Sequence, residues 1–145
     1  MKLNEKYMIK AYNEAKKAYI CGEIPVGAVV VKNGKVIGRG YNKKEKTKNA
    51  IMHAEIIAIN KACKKNKDWR LNDCELYVTL EPCMMCMGAI VESRIKKIYC
   101  GVKNKKSNFN NQEICASEKI DIEYGILEDN IKNQLKSFFN TIRKQ

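Results

Sequence analysis

The chain has 145 residues, 45% of them hydrophobic and 30% charged, with a formal net charge of +12 at pH 7. At that length one domain spanning residues 1–145 is expected, long enough to bury a core without disulfide staples. No apolar run approaches the ~18 residues of a membrane span, so no membrane association is expected. Met1-Lys2-Leu3-Asn4-Glu5-Lys6 turns polar at once, without the apolar stretch of a secretory leader, and a cytoplasmic location follows as the expectation.

In chain order, the apolar residues Leu3, Tyr7, Met8, Ala11, Tyr12, Ala15, Ala18 and Tyr19 recur at helical spacing, and Gly22 follows as a stop. Residues 26–31 form a short β-branched run that reads as a buried strand. Asn33-Gly34 is a hairpin signal, and residues 35–41 return as an antiparallel strand. Residues 42–49 read as a polar, basic loop. Ala54, Ile57, Ala58 and Ala62 then mark a helix over residues 54–63, followed by a solvated connection. Residues 75–80 read as a strand, 83–91 as a helix and 95–102 as a strand. A basic, Asn-rich loop covers residues 103–111. Ile120-Asp121-Ile122-Glu123-Tyr124 alternates as a last strand, and residues 127–143 close as an amphipathic helix. Alternating strands and helices give an α/β layered fold, and the opening hairpin makes its sheet mixed.

Two short pieces carry chemistry. His53-Ala54-Glu55 supplies the chain's single histidine beside a carboxylate, and Pro82-Cys83-Met84-Met85-Cys86 supplies two thiols one helical turn apart. One imidazole and two thiolates make three ligands, which leave a tetrahedral Zn²⁺ with an open, catalytic position. Water bound there loses its proton near neutral pH, and Glu55 stands close enough in sequence to shuttle it. The competing reading is a structural zinc knuckle that takes its fourth ligand from Cys74 or Cys100 and leaves Glu55 without work. The five cysteines outside the motif, Cys21, Cys63, Cys74, Cys100 and Cys115, have no regular spacing and read as free thiols, several of them buried. The positive charge favours a polyanionic partner, although a chain rich in Lys, Asn and Ile reaches that charge through AT-rich coding alone.

H-x-E followed by P-C-x-x-C resembles the zinc-deaminase signature, and most of the chain resembles the bacterial tRNA-specific adenosine deaminases of the cytidine/deoxycytidylate deaminase superfamily. The resemblance runs through Glu23-Ile24-Pro25-Val26-Gly27-Ala28-Val29-Val30-Val31, Val36-Ile37-Gly38-Arg39-Gly40-Tyr41-Asn42, Trp69-Arg70-Leu71, Leu76-Tyr77-Val78-Thr79-Leu80-Glu81-Pro82-Cys83, and Ser137-Phe138-Phe139 with Arg143. It implies a cytidine-deaminase-like, three-layer α/β/α fold with a five-stranded mixed sheet and both metal motifs at helix N-termini. It implies one Zn²⁺ per subunit held by His53, Cys83 and Cys86. The implied activity is hydrolytic deamination of adenosine to inosine at the first anticodon position of tRNA, by a zinc-bound hydroxide with Glu55 as proton shuttle. Asn42, Ala54, Pro25 and Val26 are then the expected substrate-binding residues. Met84, Met85 and Met87 mark a homodimer surface.

Candidate contacts to a tRNA anticodon stem-loop are Lys103, Asn104, Lys105, Lys106 and Arg143, joined by the lysines of residues 43–48. Phe138 and Phe139 read either as RNA-stacking or as core. The chain departs from the resembled family at Asn49-Ala50-Ile51-Met52 and at Asn104, where an Asp is usual. A further departure is residues 107–119, where the family's loop pattern is not recognisable. Loss of a carboxylate at Asn104 predicts weaker discrimination between RNA and DNA. The alternative readings are a zinc-dependent deaminase of a free nucleobase or nucleoside (guanine, cytosine or cytidine), which shares the metal motif, and a zinc-stabilised RNA-binding module, against which Glu55 argues.

Overall fold

The computed structural model describes residues 1–105 and 109–143. Helix α1 (Leu3–Ile20) leads into β1 (Gly27–Lys32) and β2 (Lys35–Tyr41), then the short α2 (Lys44–Thr47) and α3 (Ala54–Asn66). β3 (Cys74–Leu80), α4 (Met84–Glu92), β4 (Lys97–Val102), α5 (Asn111–Ser117), β5 (Asp121–Glu123) and α6 (Glu128–Arg143) complete the order. The five strands form one sheet in the order β2-β1-β3-β4-β5. β1 runs antiparallel to β2 and β3, while β3, β4 and β5 are parallel. The expected mixed five-stranded α/β architecture is the one observed.

Alternation along the central strands divides the core in two. Ala28, Val30, Leu76, Val78 and Ile98 face the side covered by α3 and α4, where Ala58, Ala62, Met87 and Ile90 pack on them. Val29, Val31, Tyr77 and Val102 face α1 and α6, against Met8, Ala11 and Ile131. Burial on both faces explains why β1 reads as an unbroken apolar run rather than an alternating one. The hairpin turns on Asn33 and Gly34, both at positive φ (50° and 74°), as a two-residue primed turn requires. Tyr7 Oη donates to the Gly34 carbonyl at 2.6 Å and ties the turn to α1.

Two helices lie unusually close to the sheet. A Cβ on Gly40 would stand 2.6 Å from the Ala54 carbonyl oxygen and 2.9 Å from the Ala58 nitrogen. Gly38 meets the Ala58 carbonyl in the same way, and Gly27 meets that of Ala11 on the other face. The Gly/Ala pairing therefore sets the height of α3, and with it the height of its first residues.

Several boundaries differ from the sequence reading. The basic loop after β2 contains α2, whose last turn ends at Lys48 in the left-handed region. α3 runs on to Asn66, taking in part of the connection expected to be solvated. α5 was not expected: the Asn110 side chain accepts from the Glu113 N–H and caps it, a signal hidden within an Asn-rich stretch. Among the free thiols, Cys74, Cys100 and Cys115 are buried and Cys21 is exposed. No helix is long and apolar enough to cross a membrane.

Candidate active site

The C-terminal ends of β3 and β4 meet the entry to β1 and the exit of β2 at one edge of the sheet, where ligands commonly bind in open α/β folds. Pro82 follows β3 and holds the backbone extended, so Cys83 becomes the N-cap of α4 and Cys86 lies in its first turn. On the neighbouring helix His53 is the N-cap of α3, and Glu55 lies in its first turn. Two helix N-termini thus converge, each presenting unpaired backbone N–H groups. His53 Nδ1 lies 3.6 Å from Cys83 Sγ and 3.6 Å from Cys86 Sγ. The ligand atoms of these three residues all fall within 4.8 Å of one another, positioned to hold a metal ion. Neither Cys74 nor Cys100 joins them among the described residues.

Hydrogen bonds from Cys86 and His53 hold the Cys83 thiol down to about 3. The same contact and burial push the Cys86 thiol well above its ordinary range. The bond to Cys83 also raises the His53 imidazole. Glu55 is 3% exposed. Burial pushes its carboxyl up to about 7, and the Cys86 side chain is within hydrogen-bond reach of it. A carboxyl poised near neutrality beside a group positioned to hold a metal can both take and return a proton.

A cavity of about 570 Å³ opens over these residues, lined by Val26, Asn42, His53, Glu55, Cys83 and Asn104 among others. Phe138, Phe139 and Ile142 of α6 close its outer side. Phe138 is buried and packs edge-on against both Tyr19 and Phe139, so it serves the core as well as the wall. Asn42 joins three segments: its Oδ1 accepts from the Ala54 N–H at 2.9 Å and its Nδ2 donates to the Ile24 carbonyl at 3.1 Å. The amide of Ala54, one of the expected substrate-binding residues, is therefore bonded to Asn42. Pro25 is buried behind the wall rather than part of the lining.

The candidate nucleic-acid contacts are less tightly grouped. Lys103 and Lys105 are exposed and line a second, polar groove of about 360 Å³ that shares Glu81 and Asn104 with the main cavity. Lys103 Nζ stands 4.8 Å above the Tyr124 ring. Arg143 is exposed next to Ile142 at the end of α6. Lys106 lies outside the described residues. Met87 is fully buried core, whereas Met84 is 65% exposed on the same helix; the methionine stripe is split between interior and surface.

Two carboxylates escaped the sequence reading. Glu81 Oε1 accepts from the Asn104 N–H at 3.0 Å, while its Oε2 accepts from Asn111 Nδ2 at 3.2 Å and Tyr124 Oη at 2.9 Å. Glu23 accepts two backbone amides from α2. The one available signal was an acidic residue standing directly before Pro82, or just before Pro25, at the edge of an apolar run.

Comparison with known proteins identifies the family. Residues 3–143 match the family model described as MafB19-like deaminase. A tRNA-specific adenosine deaminase from Bacillus subtilis (strain 168) is 41% identical, over 100% of this chain and 94% of that protein. A solved structure from biochemical and structural studies of A-to-I editing by tRNA:A34 deaminases at the wobble position of transfer RNA superposes with a TM-score of 0.82. It is 33% identical and covers 89% of this chain and 98% of that one. A guanine deaminase structure from Nitrosomonas europaea shares the fold at a TM-score of 0.85 and 22% identity, covering 92% and 83% of the two chains. With its paired helix N-termini, its His/Cys/Cys group and this likeness along almost all of its length, the chain belongs to the MafB19-like deaminase family.

Proposed function

We propose that this protein hydrolyses adenosine to inosine at the first anticodon position of tRNA, with one zinc ion per subunit held by His53, Cys83 and Cys86. The carrying observation is the buried Glu55 carboxylate beside that ligand group, at the floor of a cavity with room for a nucleoside. Ligand atoms at zinc bond lengths in a tetrahedron stand about 3.6 Å apart for N and S, which fits the His53 distances to both sulfurs. When bound, the ion supplies Lewis acidity that makes water a nucleophile at neutral pH.

The chain's own groups do the rest. Glu55 takes a proton from the attacking water and delivers it to N1 of adenine, then takes the remaining proton from the new C6 hydroxyl and passes it to the departing amine. The C6–N bond breaks, ammonia leaves and the purine keeps the oxygen. Asn42 and Val26 hold the nucleoside between β1 and α3, with Pro25 backing the wall and Ala54 acting through its bond to Asn42. Lys103, Asn104, Lys105, Lys106 and Arg143 take the phosphates and sugars of the anticodon loop, whose unpaired target base is cheaper to extrude than one in a duplex. Exposed Met84 marks the face on which a homodimer forms, and residues 1–145 act as one domain.

The test is deamination of an anticodon stem-loop carrying adenosine at its first anticodon position, with free adenosine, guanine and cytidine in parallel. Inosine formed in the RNA alone is the expected result. Turnover of a free base alone overturns the substrate assignment and leaves the zinc chemistry in place. Sedimentation as a monomer at assay concentration overturns the homodimer.

A further inference from the structure

Glu23 lies outside the metal site, yet its carboxylate is only 3% exposed and sits in the wall of the same cavity. Its Oε1 accepts from the Glu45 N–H at 3.0 Å and its Oε2 from the Lys46 N–H at 2.7 Å. Among the described residues it has no cationic side chain as partner. Its charge is held by the first-turn amides of α2, whose own N-cap, Lys43, makes no side-chain cap. A buried carboxylate that takes two backbone amides from a distant segment fixes that segment in place.

The segment it fixes is basic and is closed at both ends by site residues. Residues 43–52 run from Asn42 to His53, and the Lys43 N–H donates to the Met52 carbonyl at 3.0 Å across the base of the loop. Lys43 stacks over Tyr41 with its Nζ 4.8 Å from the ring. Lys44, Lys46 and Lys48 are exposed and make no ion pair with any described carboxylate. Lys44 and Glu45 also line the cavity. Lys44 therefore stands in the cavity wall, Lys46 and Lys48 are exposed on the same loop, and Glu23 sets where the first turn of α2 stands.

We infer that Glu23 is the positioning residue for nucleic-acid capture: by holding the first turn of α2 it presents the lysines of residues 43–48 to the phosphates flanking the target nucleotide. The inference rests on the RNA reading above. It assigns Glu23 to substrate affinity and its salt dependence, not to the chemical step.

The experiment compares wild type, Glu23→Ala and Glu23→Gln on the adenosine-containing stem-loop across a salt series, with zinc content and melting temperature measured for each. Glu23→Ala is expected to raise KM about tenfold and to leave kcat within about twofold. The slope of log KM against log salt should become shallower by about one to two, as phosphate contacts are lost. Glu23→Gln, which keeps one acceptor, should fall between. In a background with Lys43, Lys44, Lys46 and Lys48 all changed to Ala, Glu23→Ala should have no further effect on KM, because the group it positions is gone. An undiminished KM rise in that background overturns the proposal, as does a loss of kcat together with zinc. Trypsin gives a readout without substrate: Glu23→Ala should speed cleavage after Lys43–Lys48 about tenfold, and an unchanged rate overturns the placement of the loop. If wild type leaves the stem-loop untouched, the RNA reading fails, and the trypsin result alone decides the positioning.

Discussion

The Ala54 backbone N–H donates to the Asn42 side-chain oxygen at 2.9 Å, so a residue at the end of β2 caps the helix that carries His53 and Glu55. The same side chain holds the Ile24 carbonyl through its Nδ2. Removing it frees a buried amide and a carbonyl together. Asn42→Ala is expected to destabilise the protein by about 1–3 kcal/mol as well as to lower kcat/KM. Asn42→Asp keeps the oxygen that Ala54 needs but loses the donor. Its stability should stay within about 1 kcal/mol of wild type, with activity still lost. Denaturant melts and kinetics on the two variants separate the roles; equal activity and stability losses in both would mean that Asn42 serves the fold alone.

Glu55→Gln preserves the volume of a buried side chain and removes its ability to exchange a proton. Turnover should drop by about 10² or more, while zinc stoichiometry stays near one, since His53, Cys83 and Cys86 are untouched. The melt should hold or rise, because a buried ionisable group has been replaced by a neutral one. Elemental analysis and single-turnover kinetics check both halves. Ordinary turnover by the variant would remove Glu55 from the mechanism.

Chelation distinguishes a catalytic metal from a structural one. The larger core cluster, with Leu76, Val78, Ile90, Ile95 and Ile98, is built from sheet and helix side chains that need no metal to meet. Prolonged treatment with a strong chelator should abolish activity and leave the far-UV circular dichroism nearly unchanged, and zinc should restore turnover. Loss of the helical signal together with the metal would instead assign the site to folding.

Much of this was legible in the sequence, for identifiable reasons. α1 announces itself through periodicity, and Asn33-Gly34 permits little besides a hairpin, which returns residues 35–41 as β2. The His/Cys/Cys group is readable because its members are rare residues at fixed local spacing on helix starts. Glu23 and Glu81 were not readable, because their partners are backbone amides and side chains that only the folded chain brings near. The roles of Met84 and Met87 separate for a similar reason: they sit three positions apart on one helix, but β3 and α3 cover only one of them. α5 was missed because a single Asn cap is indistinguishable in a stretch full of asparagines.

The glycines under α3 carry the last prediction. Gly40 lets the helix approach until the Ala54 carbonyl lies 2.6 Å from where a Cβ would be. Gly40→Ala cannot be accommodated by rotating a flexible side chain, because the atoms it meets are backbone. The helix must lift away from the sheet, at a cost of about 1–3 kcal/mol. His53 caps that helix and Glu55 sits in its first turn, whereas Cys83 and Cys86, at the start of α4, stay put. The lift therefore separates the imidazole from the two sulfurs, and zinc affinity should fall by about tenfold or more even at temperatures where the protein remains folded. Gly88 is the control: nothing lies within 4 Å of a Cβ added there, and within the α4 helix Ala is favoured over Gly. Gly88→Ala should leave both zinc affinity and stability at or above the wild-type level. Competitive zinc titration against a chromogenic chelator measures the difference, and equal affinities for the two variants would show that the height of α3 does not govern the metal site.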